Sequence, residues 1–129
     1  IRYRGIGIAE RKWVFGSLWF DTRNKATLIW SEELKYWVRV DPATVGQYTG
    51  LKDEHGKEIY EGDVIRSPLS EDKTRPHRIF YHTGNAAFMG ALVDRKELCY
   101  LRLDQDWIYK FGKEVIGNIH DNPELLKNE

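Results

Sequence analysis

Short β-prone runs, broken again and again by turn formers, constrain this chain more than any other feature. Trp13-Val14-Phe15-Gly16-Ser17-Leu18-Trp19-Phe20 is aromatic and extended in character, and Asp21-Thr22-Arg23-Asn24-Lys25 after it reads as a turn. Thr27 to Trp30 and Leu34 to Val40 are further strands, the second closed by Asp41-Pro42, because proline disfavours both a continuing ladder and a helix before it. Gln47 to Thr49 and Val64 to Arg66 are brief extended pieces. Arg78 to His82 and Ala86 to Val93 form a predicted hairpin turning at Gly84-Asn85. Glu97 to Leu103 alternates, with Cys99, Leu101 and Leu103 on one face, and Trp107 to Phe111 and Glu114 to Ile119 complete the predicted sheet material. Only the end reads as a helix, with Asn122 as cap, Pro123 in the first position and Glu124 complementing the dipole. Many short strands with glycine turns predict a mostly β chain: a small barrel or a curled antiparallel sheet with a short C-terminal helix.

The most patterned stretch is TVGQYTGLKDEHGKEIYEGDVIR, Thr44 to Arg66, with Gly46, Gly50, Gly56 and Gly62 among acids and aromatics. A phosphate loop requires four residues between its glycines and then Lys-Ser/Thr, so that backbone N–H groups surround the phosphate. Here five residues separate Gly50 from Gly56, and Lys57 is followed by Glu58, whose charge repels phosphate. A calcium loop counted from Asp53 places Glu58 where glycine is needed. Asp53-Glu54-His55-Gly56 instead fits a type I turn with Asp first and Gly fourth, and Glu61-Gly62-Asp63 a second bend entering a strand. The glycines therefore read as left-handed corners between strands, not as a ligand cradle.

The length of 129 residues fits one domain, 1–129, and no linker or repeat divides it. Lysine plus arginine equals aspartate plus glutamate at 20 each, which argues against a binder driven by bulk charge. The balance is uneven, however. Residues 1–39 hold eight basic and four acidic side chains, and residues 40–129 hold twelve and sixteen. A single cysteine permits no intrachain disulfide. Ile1-Arg2-Tyr3-Arg4 offers no apolar signal core, and no apolar run approaches the ~20 residues needed to span a bilayer. These features predict a cytoplasmic chain with no membrane partner.

Taken together, VGQYTGLKDEHGKEIYEGDVIR, the closing VIGNIHDNPELL (Val115 to Leu126), and Tyr3-Arg4-Gly5 with Trp13-Val14-Phe15-Gly16 resemble the YopX-like family of phage and prophage proteins. The resemblance spans the chain in order, although Pro68 to Gln105 carries no family motif. It implies a mostly β protein with an SH3-like barrel element, encoded by phages or integrated elements and acting inside a bacterial host. It implies no catalytic activity and supplies no active-site residues or cofactor.

Possible sites are few. Glu61 and Asp63, and Asp104 and Asp106, are two apart. On a strand such pairs share a face at about 7 Å, although turn and surface acids have the same spacing. His77 and His82, five apart, fall on opposite faces of a strand and cannot share a metal. Without a close Cys/His pair no zinc site is predicted, and Cys99 reads as a buried small hydrophobe. Lys73-Thr74-Arg75-Pro76-His77-Arg78, before Phe80-Tyr81, is the segment best suited to contact nucleic acid or a partner, through Lys73, Arg75, His77, Arg78 and Tyr81. The competing reading is a solvated loop entering a strand whose aromatics face the core. Trp13, Trp19, Trp30 and Trp37 exceed what a small core needs. Core packing is expected for most of them, with the remainder forming a partner or self-association surface. The sequence thus predicts a non-catalytic interaction protein, with a protein partner or a second copy as its ligand. Nucleic-acid binding through Lys73–Arg78 is the alternative, and a small enzyme using an acid pair a distant third.

Overall fold

The computed structural model describes residues 1–67, 76–93 and 100–126. Eleven strands, one short α-helix and several 3-10 turns make up the described residues. They cluster into two compact units, Ile1–Tyr48 and Thr49–Glu129.

In the first unit, β1 (Tyr3–Ile6), β2 (Trp13–Asp21), β3 (Ala26–Ser31) and β4 (Trp37–Arg39) form an antiparallel sheet in the order β4-β3-β2-β1. Gly46 and Gln47, which begin β5 (Gly46–Lys52), pair with Arg4 and Tyr3 on the far side of β1. The β2–β3 turn forms as the sequence predicts, because the Asp21 carboxylate accepts the N–H groups of Arg23 and Asn24, an Asx-type turn. β1 had no sequence signal beyond its short length, and its position between β2 and β5 comes from tertiary pairing. The core is aliphatic: Val14, Ile29 and Val40, with Tyr3, Leu18, Val38 and Val45 packed on them.

The second unit contains the rest of β5, β6 (Glu58–Tyr60), β7 (Asp63–Arg66), β8 (His77–His82), β9 (Ala87–Leu92), β10 (Tyr100–Arg102) and β11 (Glu114–Asn118). Its sheet has the order β10-β9-β8-β7-β11, antiparallel throughout, with a bulge in β11 between Val115 and Gly117. Its core is Ile59, Ile65, Ile79, Leu103 and Ile108, with Leu51, Phe88, Trp107 and Val115 around them. The strand orders are those of open antiparallel sheets; neither closes on itself as a barrel among the described residues.

Two expectations change here. Trp107 to Phe111 is not sheet material, because Gln105–Lys110 is helix α1, started by Asp104, whose carboxylate accepts the Trp107 N–H at 2.8 Å. The apolar run over these residues is one helical turn that buries Ile108, and so short a run does not distinguish the two periods. The C-terminal helix is a 3-10 turn over Pro123–Leu126. Residues 69–75 of the loop expected from Leu69 to Pro76, and the environment of Cys99, lie outside the described residues.

Glycine conformations follow the punctuation reading. Gly50, Gly56 and Gly62 have φ of 85°, 83° and 89°. The Gly56 N–H closes the turn on the Asp53 carbonyl at 3.0 Å. Gly46 is different: it lies in a buried strand position without positive φ. No helix among the described residues is long and apolar enough to cross a membrane.

Candidate functional site: an aromatic sheet face

Alternation along β2 divides its side chains between two faces of the first unit's sheet. Val14 and Leu18 face the aliphatic core. Trp13, Phe15, Ser17 and Trp19 therefore face the other way. The register extends this second face across the sheet. Ser17 stands opposite Trp30, and Trp30 opposite Trp37; Trp19 stands opposite Leu28, and Leu28 opposite Arg39. On the other side, Phe15 stands opposite Arg4. One sheet face thus carries four of the five tryptophans, a phenylalanine and two arginines.

This face is open. Phe15 is 40% exposed, Trp19 59%, Trp30 38% and Trp37 45%. The tryptophans expected mainly in the core are therefore largely on the surface, and none of Trp13, Trp19, Trp30 and Trp37 is fully buried. Aliphatic side chains fill the interior more tightly, leaving the large rings outside. The rings are ordered by one another and by cations. Trp30 and Trp37 meet edge to face at 5.5 Å, a favourable arrangement of their quadrupoles. The guanidinium of Arg4 lies 4.5 Å from the centre of the Trp13 ring, within cation–π range.

The acids of this unit are mostly engaged. Glu32 accepts two hydrogen bonds from Arg2, at 2.7 and 2.8 Å, and this pairing holds its carboxyl below the usual glutamate range. Asp21, the acid at the end of β2, is held below the usual aspartate range by hydrogen bonds from the Asn24 side chain and the turn backbone. Asp41 caps a 3-10 turn by accepting the Ala43 N–H. Arg39 is exposed and takes part in no ion pair among the described residues.

The basic segment is arranged differently. Lys73 and Arg75 lie outside the described residues. His77 is 4% exposed and packs edge-on against Trp107 at 5.7 Å. Arg78 lies over Phe80 at 5.2 Å, while Tyr81, 42% exposed, packs on Phe88. Arg78 and Tyr81 are three apart on β8, so they point to opposite faces and do not converge. Of this set, Arg78 and Tyr81 are accessible separately and His77 is an interior side chain.

The acid pairs also separate. Asp63 is buried and accepts the Tyr60 N–H at 2.8 Å, a turn-holding role, while Glu61 is in the turn itself. Asp104 caps α1 and Asp106 sits in its first turn, where both carboxylates complement the helix end. Among the described residues no three of His, Cys, Asp and Glu are close enough to hold a metal ion. His77 and His82 do occupy opposite faces of one strand; the His82 ring nitrogen Nδ1 accepts the Asn85 N–H. His55, in the β5–β6 turn, meets Glu114 at 3.1 Å.

The family model described as "YopX protein" matches residues 2–127. The chain belongs to the YopX family. Among solved structures, this YopX chain is similar to protein EF1440 from Enterococcus faecalis, known from a crystal structure. The identity is 27% and the TM-score 0.63, over 98% of this chain and 99% of that one. No curated protein matches it. The aromatic face was only half legible beforehand. Sequence alternation separates Trp13, Phe15 and Trp19 from Val14 and Leu18, but both sets are apolar, so it does not say which set is inside. Arg39 carried no sequence signal at all; its place comes from the β3–β4 register.

Proposed function

We propose that this YopX-family chain is a non-catalytic binding protein of phage or prophage origin, working in the host cytoplasm, and that its contact surface is the aromatic face of the first unit. One observation carries the reading: Phe15, Trp19, Trp30 and Trp37, all at least 38% exposed, share one face of one sheet. Taking a buried aromatic as about 150–250 Å², these four rings leave about 300–450 Å² of apolar surface in water. That matches the largest patch of a typical monomer, which is commonly functional. Covering all of it contributes about 8–11 kcal/mol gross, similar to the freedom lost on association. The rings alone therefore support only weak binding, and polar complementarity must add to them. This reading keeps the interaction protein predicted from the sequence, and takes the exposed tryptophans, not Lys73–Arg78, as its surface.

The test is affinity capture from bacterial extract with the wild-type chain and with Trp19→Ser/Trp30→Ser/Trp37→Ser. Wild type is expected to retain macromolecules that the triple variant does not, at equal folded content by circular dichroism. Equal capture by both would remove the face from the function.

A further inference from the structure

Resting on the binding-surface reading above, we propose that the aromatic face of the first unit binds single-stranded nucleic acid, with bases stacking on Trp19, Trp30, Trp37 and Phe15 and with Arg39, Arg23 and Lys25 neutralising phosphates. Three observations favour this ligand over a protein.

The first is charge. Residues 1–48 hold eight basic and five acidic side chains, a net charge of +3, in a chain that is neutral as a whole. Of those five acids, Glu32 is paired with Arg2, Asp21 is engaged by its own turn, and Asp41 caps a 3-10 turn. Among the described residues, the charged side chains in the register of the face are Arg4, which is buried, Arg39, which is exposed, and Asp21 at the end of β2, whose carboxylate is held by its own turn. Arg23 and Lys25 stand in the exposed β2–β3 turn, beyond Trp19, with no ion pair among the described residues. The local field thus favours a polyanion. A second copy of the chain facing this surface would bring like charge to like charge.

The second is the layout of the rings. Along β2, Phe15 and Trp19 project from the same face four residues apart, with Ser17 between them, and Trp30 and Trp37 stand side by side on the next two strands. This is a platform and not a pocket. Every base has a π-face, so a row of open rings suits successive unpaired bases without needing sequence readout. A duplex hides those base faces and cannot use the rings.

The third is the spacing of cation and ring. Arg39, Leu28 and Trp19 form one row across three strands, and the next row is Trp37, Trp30 and Ser17. Each row puts apolar or aromatic surface beside a group able to meet a backbone, through the Arg39 guanidinium or the Ser17 hydroxyl. Single-strand binders generally combine a cationic path with stacking rings in this way.

The experiment uses the full chain and fluorescently labelled oligothymidylate and oligouridylate of about 15 nucleotides. Anisotropy and quenching of intrinsic tryptophan emission are read at low salt and then across a salt series. Binding is expected with quenching, and with log K falling against log salt at a slope of about −2, from about −0.7 for each of three phosphates. Trp30→Ala/Trp37→Ala should weaken binding about tenfold or more. Arg39→Gln should make the salt slope shallower by about 0.7, and circular dichroism should show both variants folded. Should either variant fail to fold, Trp19→Ala, at the most exposed ring, takes its place with the same expected loss.

The assignment is overturned by any of three results: no binding to either oligonucleotide at low salt, binding undiminished by loss of the rings, or a duplex held as tightly as a single strand. The binding-surface reading fails separately, through the capture comparison. If nuclease-treated extract still yields a protein on wild type and not on the triple variant, while neither oligonucleotide binds, the face is a docking surface and its ligand is not nucleic acid.

Discussion

Gly16 shows how much one residue decides in the first unit. It sits within β2 at φ 154°, opposite Ser31, and a Cβ there would overlap the carbonyl oxygen of Trp30. That oxygen is backbone and part of the paired β3, so it cannot swing aside as a side-chain tip would. Glycine in a strand interior marks a close backbone approach of this kind. Gly16→Ala is expected to cost several kcal/mol, toward the severe end of single substitutions, and to separate β2 from β3 locally. Urea unfolding followed by far-ultraviolet circular dichroism measures it; a loss under about 1 kcal/mol would show that the strands can part without penalty. The sequence displayed this glycine inside an aromatic run, but gave no sign that a partner strand passes so near. Contacts of this type depend on register, which no local window contains.

At the scale of elements, the β5–β6 turn was the most legible part of the chain. Asp53 was predicted as the first residue of a turn ending at Gly56, and the Gly56 N–H does close on the Asp53 carbonyl. Its full role is larger. One carboxylate oxygen accepts the N–H groups of His55 and Lys57, both at 2.9 Å, and the other accepts the Val115 N–H of β11 at 3.1 Å. With the side chain 2% exposed, its removal leaves three donors without their acceptor in a poorly hydrated place. Asp53→Ala is expected to cost about 2–4 kcal/mol, since bonds to a charged acceptor are each worth about 1.5–3 and are not additive. Asp53→Asn, which keeps one acceptor oxygen for the turn, should cost about half as much. Chemical denaturation of both variants gives the ratio, and an equal loss for the two would place the role in the charge instead of in the turn. Turn chemistry is readable because it is local. The bond to Val115 joins residues 62 apart, and α1 was misread as strand for a related reason. Its single buried residue, Ile108, owes its burial to packing in the second unit and not to any periodicity that a six-residue element can display.

At the scale of the whole molecule, stability and recognition fall to different residue types. The sequence expectation that tryptophans anchor the fold rested on their size, since a large ring removes the most surface when buried. The interiors are built instead from isoleucine and valine, with Ile29, Ile59, Ile65, Ile79 and Ile108 at no more than 1% exposure. Branched aliphatics suit the closely spaced positions of paired strands, and the face turned away from them is left to the rings. If that division is real, the largest side chains should be the cheaper ones to lose. Ile79→Ala, a truncation in a filled core, is expected to cost about 2–5 kcal/mol. Trp19→Ala, which removes a ring already largely in water, should stay within about 1 kcal/mol, while weakening ligand binding. Denaturant midpoints for the two variants, with the unchanged m-value as a check on two-state behaviour, test both halves together. A Trp19→Ala loss as large as that of Ile79→Ala would mean the rings hold the fold together, and the case for an open binding face would go with it.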